Sequence, residues 1–123
     1  MPKILISDAM DSVVEKILTS NNFHVDVKTN FTNEELVKKI SLYDGLIIRS
    51  ATKVTKEIIE KAKKLKIIGR AGAGVDNIDL ISAKEKNIVV MNTPGGNTNA
   101  TAEHTLAMLL SLSRKISIAD TST

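Results

Sequence analysis

Arginine is scarce in this chain and sits where anion chemistry would need it. The three arginines are Arg49, Arg70 and Arg114, and lysine supplies the other positive side chains. Arg49 follows the apolar run Leu46-Ile47-Ile48, and Arg70 follows Ile67-Ile68 with one residue between. A guanidinium presents a planar fork that matches carboxylate and phosphate, so this placement suits an anionic ligand. The plainer alternative is that each arginine pairs with a nearby carboxylate or caps a helix end. Beyond Arg70 lies Ala71-Gly72-Ala73-Gly74-Val75-Asp76-Asn77. Its glycines would let N–H groups approach an anion just before a helix. Equally, they would serve a tight turn that needs glycine for its φ angles. A third loop, Asn92-Thr93-Pro94-Gly95-Gly96-Asn97, follows the run Ile88-Val89-Val90-Met91.

Other chemistry is poorly served. Gly72-Ala73-Gly74 begins like the dinucleotide fingerprint G-x-G-x-x-G, but Asn77 stands at the third glycine and no acidic residue ends a strand about 20 residues on. No cofactor-binding residue is therefore assigned. Glu103 and His104 are neighbours in sequence, and adjacent helical positions point about 100° apart, so they cannot act as a pair. His104 is expected to be structural, and His24 to lie exposed on an edge strand. No catalytic residue is assigned. There is no cysteine, which removes disulfides and Cys-ligated metals, and no metal site is expected.

The elements that position these loops alternate regularly. Ile4-Leu5-Ile6 is a buried strand, and Val13, Val14, Ile17 and Leu18 share a helical face. Val25 and Val27 alternate with His24, Asp26 and Lys28, the pattern of a half-exposed edge strand. Thr32-Asn33-Glu34-Glu35 forms a capping box for the next helix. Leu46-Ile47-Ile48 is the third strand, and Thr55 caps a helix that buries Ile58, Ile59, Ala62 and Leu65. Ile67-Ile68 is the fourth strand. Asp76 to Asp79 supply the cap of a short helix that ends near Lys86-Asn87, before the fifth strand, Ile88 to Met91. A last helix starts between Thr98 and Thr101 and ends near Lys115. Five βα units with continuous apolar strands predict a parallel α/β sheet covered on both faces, in the flavodoxin-like order 2-1-3-4-5. In such sheets ligands sit outside the carboxyl ends of the strands, where all three loops fall.

The last helix carries Leu106, Ala107, Met108, Leu109, Leu110 and Leu112 around most of its circumference, so a second domain or subunit is expected against it. The predicted layout is a domain over 1–97, a linking helix over 98–116 and a frayed tail over 117–123. Aromatic residues make up 2% of the chain, too few for base or flavin stacking. The net charge of +3 is mild and the lysine run at Lys61, Lys63, Lys64 and Lys66 is a solvated helix face, so no nucleic-acid partner is expected. No apolar run approaches a membrane span and no secretory leader pattern is seen, which makes cytoplasmic location the default expectation.

Three segments together resemble the NAD-dependent D-2-hydroxyacid dehydrogenase family, in the form that acts on 3-phosphoglycerate. They are Arg49-Ser50-Ala51-Thr52-Lys53-Val54-Thr55, Gly69 to Asp79, and Asn92 to Thr98 followed by Thr101-Ala102-Glu103-His104-Thr105. The resemblance runs from Ile4 to Ile116. It implies that Arg49 and Ser50 contact the phosphate or carboxylate of the substrate. It implies that backbone amides of Ala71, Gly72, Ala73, Gly74 and Val75 hold the carboxylate, and that Arg70 adds positive charge, across a subunit boundary in some arrangements. Asn97 would orient the reacting group where substrate meets cofactor. The family's cofactor fingerprint, catalytic arginine, acidic partner and acid–base histidine would follow in a missing NAD-binding domain, leaving this chain inactive by itself. The complete protein would oxidise 3-phosphoglycerate to 3-phosphohydroxypyruvate on the route to serine, as a homo-oligomer. Alternatives are a glycerate- or lactate-type relative, or a noncatalytic module. A receiver-like module would need a phosphorylatable Asp after strand three and a Lys after strand five, where Arg49 and Asn92 stand. A flavodoxin-type carrier would need a phosphate loop where the acidic Ser7-Asp8-Ala9-Met10-Asp11 stands.

Overall fold

The structure is a computed structural model describing residues 2–29, 31–72, 74, 76–93 and 97–122, with side chains described as far as Ser111. Five strands form one parallel sheet in the order β2-β1-β3-β4-β5. They are β1 (Lys3–Ile6), β2 (His24–Val27), β3 (Gly45–Ile48), β4 (Ile67–Ala71) and β5 (Val89–Thr93). Between them run α1 (Val13–Ser20), α2 (Asn33–Lys39), α3 (Lys56–Lys61) and α4 (Leu80–Glu85), and α5 (Thr98–Ser122) follows β5. The expected topology and the edge position of β2 are both found.

The continuous apolar runs have the expected cause. Side chains alternate across a strand, so a sheet covered on both faces needs apolar residues at every position. Ile4, Ile6, Ile47 and Ile67 pack with Val14, Leu18, Ala102 and Leu109 beneath α1 and α5. Leu5, Leu46, Ile48 and Ile68 pack with Leu36, Ile40, Ile58, Ile59 and Ala83 beneath α2, α3 and α4.

Local signals hold at the helix starts. Thr32 and Glu35 form the capping box, each side chain bonding the other's backbone N–H. Thr55 accepts from the Ile58 amide and caps α3. Asp79 accepts from the Ser82 amide and caps α4.

Two strands run further than their apolar residues suggest. Arg70 pairs with Asn92 and Ala71 with Thr93, so the β4–β5 ladder continues through residues expected to be loop. Backbone pairing extends it; side-chain hydropathy gives no sign of it. At the other end, α5 continues to Ser122, past the end expected near Lys115. That helix lies beside α1 in the same layer, with Thr101, Ala102, Thr105 and Leu109 buried. Leu110 on its outer side is 50% exposed, so the sheet covers one face of the helix and leaves another open.

Candidate functional site

The site is built at the carboxyl ends of β1, β3 and β4. Its centre is the loop 49–52 that leaves β3. Asp8, just past β1 and 5% exposed, reaches this loop across the sheet. Its Oδ2 accepts from the Arg49 N–H at 2.6 Å and from the Thr52 N–H at 3.1 Å. Its Oδ1 accepts from the Thr52 hydroxyl at 2.6 Å. The Ser7 and Thr52 hydroxyls lie 2.9 Å apart. From the opposite side, the Asn77 amide Nδ2 donates to the carbonyls of Arg49 at 2.9 Å and Thr52 at 2.7 Å. The next stretch is stitched too. The Val54 N–H donates to the Asn77 carbonyl and the Asp79 N–H to the Val54 carbonyl, a parallel bridge between Val54 and Ile78.

Beside the loop, an open cleft of about 670 Å³ is lined by Ser50, Lys53, Lys56, Arg70, Asp76 and Asn77, among others. Ser50 and Arg70, singled out from sequence, thus meet in one place. Arg49 is exposed at the end of β3, and its side chain does not line the cleft. Arg70 lies inside β4, its side chain 11% exposed, with Nη1 2.8 Å from Asp76 Oδ1. Asp76 is 91% exposed, so the pair opens to solvent only on the carboxylate side. The arginine holds the Asp76 carboxyl below its ordinary 3.8, chiefly through this hydrogen bond. Arg70 Nε is buried without a hydrogen-bond partner among the described residues.

Both described glycines of the loop after β4 adopt conformations that call for glycine. Gly72 has φ +156° and Gly74 φ +85°, conformations an L side chain rarely adopts. A Cβ at either would lie within 4 Å of the Arg70 guanidinium, so this backbone wraps the arginine closely. Ala71 is buried at the end of β4. Ala73 and Val75, also expected to hold the substrate carboxylate, lie outside the described residues. Asn97 is exposed, and its Oδ1 accepts from the Ala100 N–H at 3.1 Å at the start of α5. The Thr101 hydroxyl links that helix start to Thr93 at 2.9 Å and to the Asn97 carbonyl at 3.1 Å.

Other candidates are placed as well. His104 is exposed on α5. His24 is exposed, with Nε2 3.2 Å from Asp26 Oδ1 on the β2 edge. Among the described residues no group of three or more His, Cys, Asp or Glu could hold a metal, and no helix is long and apolar enough to cross a membrane. The Asp79 carboxylate caps the N-terminus of α4, where it would repel a pyrophosphate.

Sequence reasoning missed Asp8 and Asn77. Asp8 had a signal, since it follows β1 at the same carboxyl edge that drew attention to Arg49. Asn77 falls in the expected cap of α4 and interrupts a glycine pattern, and neither position signals its bonds to the Arg49 and Thr52 carbonyls.

Residues 4–122 match the model of the D-isomer specific 2-hydroxyacid dehydrogenase catalytic domain. Over 120 residues the chain is 47% identical to a D-3-phosphoglycerate dehydrogenase of Archaeoglobus fulgidus, covering 98% of this chain and 23% of that protein. A Synechocystis D-3-phosphoglycerate dehydrogenase is 51% identical over 116 residues, covering 94% of this chain and 21% of the relative. The chain therefore spans less than a quarter of the length of these relatives. Among solved structures, an NAD+-bound 3-phosphoglycerate dehydrogenase from Entamoeba histolytica aligns with a TM-score of 0.71 and 36% identity, over 88% of this chain and 38% of that one. With a matching family model over nearly all its residues and the same fold, this chain belongs to the D-isomer specific 2-hydroxyacid dehydrogenase family.

Proposed function

We propose that this chain is the substrate-recognition domain of an enzyme that oxidises 3-phosphoglycerate to 3-phosphohydroxypyruvate with NAD, as a step in making serine. The observation that carries this reading is the meeting of Ser50 and Arg70 in one lysine-flanked cleft at the strand ends. The cleft belongs to a chain about half identical to D-3-phosphoglycerate dehydrogenases. A substrate with two anionic groups needs more than one set of donors. Ser50, Lys53, Lys56 and Arg70 line the cleft. The amides of Gly72 and Gly74, beside the Arg70 guanidinium, would add others. An entering anion competes with Asp76 for Arg70, and Asp76 can yield because it is already in water. Arg49 would reach the substrate from outside the cleft. Asn97 keeps its amide Nδ2 for the ligand while Oδ1 caps α5.

NAD would supply the hydride acceptor, and the Asp79 carboxylate would disfavour its pyrophosphate at the start of α4. In this reading residues 1–97 recognise substrate, 98–116 link to an NAD-binding domain, 117–123 follow the link, and the complete protein is a cytoplasmic homo-oligomer. The hydroxyl proton must leave to a base outside this chain, which alone gives no turnover. One observation favours a second reading. Asp76 already neutralises Arg70, which would suit a singly charged 2-hydroxy acid of the glycerate or lactate type.

An amide-shift NMR titration with 3-phosphoglycerate, D-glycerate and NAD separates the readings. Shifts at Ser50, Arg70, Gly72 and Gly74 with 3-phosphoglycerate alone support the proposal. Equal shifts with D-glycerate favour the second reading, and shifts with NAD alone refute both.

A further inference from the structure

Two other carboxylates bond locally: the exposed Asp11 accepts from the amide of Val13 and the part-buried Asp79 from that of Ser82, two and three residues away. Asp8 does not. Among the described residues its side-chain hydrogen bonds go to residues 41 and 44 positions away, on the loop that carries Arg49 and Ser50. Asn77 completes the arrangement from across the cleft. The consequence is specific. Arg49 and Thr52 bracket the loop, and at both the N–H is held by Asp8 and the C=O by Asn77. Of the loop's backbone groups, only those of Ser50 and Ala51 have no such partner among the described residues. A charged acceptor makes each such hydrogen bond stronger than a neutral one would, and its burial keeps water from competing.

We infer that Asp8 is a positioning residue for substrate recognition: with Asn77 it clamps the loop 49–52 so that Ser50 is presented to the cleft in one geometry. The carboxylate touches no substrate and its negative sign is wrong for an anion. It acts through the backbone of its neighbours, lowering the ordering cost that ligand binding would otherwise bear. Thr52 is part of the same device, because its hydroxyl occupies the second carboxylate oxygen. The kinetic part of this inference rests on the phosphoglycerate reading; the structural part does not.

Two measurements on the full-length protein test it, using Asp8→Ala, Thr52→Val and the conservative Thr52→Ser. The first is steady-state kinetics with 3-phosphoglycerate and NAD. Asp8→Ala should raise the KM for 3-phosphoglycerate by at least about tenfold, the worth of one lost charge-assisted hydrogen bond, with the KM for NAD within about twofold. Thr52→Val should move in the same direction, and Thr52→Ser, which keeps the hydroxyl, should stay near wild type. The second is amide hydrogen exchange. The Arg49 and Thr52 amides should exchange at least about tenfold faster in Asp8→Ala while the β1 amide of Leu5 is unchanged. Unchanged protection at Arg49 and Thr52 overturns the inference whatever the substrate. A substrate KM within twofold of wild type, or a lowered melting temperature as the only effect, also overturns it. If wild-type protein fails to turn over 3-phosphoglycerate while exchange behaves as expected, the functional reading falls and the clamp stands. Should Asp8→Ala not fold, Thr52→Val decides by the same two readouts.

Discussion

Gly69→Ala tests the packing that holds β4, and so Arg70, against α5. Gly69 faces the helix side of the sheet, between the apolar Ile68 and the arginine. An added Cβ would sit 2.9 Å from Thr105 Oγ1 and 3.4 Å from Thr101 Cγ2. Both threonines are 0% exposed, and a short β-branched side chain has no flexible arm to swing aside. The strand cannot move away easily, being paired with β3 on one side and β5 on the other. Overpacking of this kind costs about 1–3 kcal/mol. For a chain of this length that corresponds to a melting temperature lower by about 4–12 °C. The assay is thermal unfolding followed by circular dichroism. A second variant isolates the cause. The Thr105 hydroxyl is buried without a partner among the described residues, so Thr105→Ala removes the clashing oxygen and loses no hydrogen bond seen there. Gly69→Ala combined with Thr105→Ala should recover at least about 1 kcal/mol relative to additivity. A single variant that melts within about 1 °C of wild type, or two substitutions that simply add, would refute the reasoning.

Three further outcomes follow from local geometry. Thr32→Ala removes a capping box and should cost about 1 kcal/mol in urea unfolding, leaving ligand-induced amide shifts at Ser50 and Arg70 unchanged. Gly74→Ala forces a side chain onto φ +85° and should destabilise by about 1–2 kcal/mol, with chemical-shift changes at Arg70; an unchanged melting curve would contradict the left-handed turn. Tyr43→Phe tests the polar cluster on the β2 edge, where the Tyr43 hydroxyl donates to Asp26 Oδ2 at 2.7 Å. That hydrogen bond is the main reason the Asp26 carboxyl lies below its ordinary 3.8, with His24 and Lys3 helping against burial. A depressed carboxyl contributes stability above its unfolded value and loses it as pH falls through the folded one. The gap between wild type and Tyr43→Phe should therefore be full at neutral pH and shrink below about pH 4; a gap constant into acid would count against it. Burial, with Asp26, raises the Tyr43 hydroxyl above its ordinary 10.0, so wild type should also lose stability as pH rises beyond that value, and the variant should lose less.

Much of this protein was legible from its sequence because the signals are local or periodic. Runs such as Leu46-Ile47-Ile48 must be strands covered on both faces, since alternation leaves no other place for their side chains. Thr32, Thr55 and Asp79 announce helix starts because a cap needs only residues three positions apart. The strand ends follow from that order, and with them the attention to Arg49, Ser50 and Arg70. Tertiary structure decided the rest. The β4–β5 ladder extends through Arg70 and Asn92 because backbone groups pair whatever side chains they carry. Arg70 meets Asp76 rather than open water because β4 is central and buried. Asp8 and Asn77 clamp the loop between them from positions far along the chain in both directions. No periodicity or spacing encodes such contacts, because only the folded sheet brings the ends of β1, β3 and β4 to one edge.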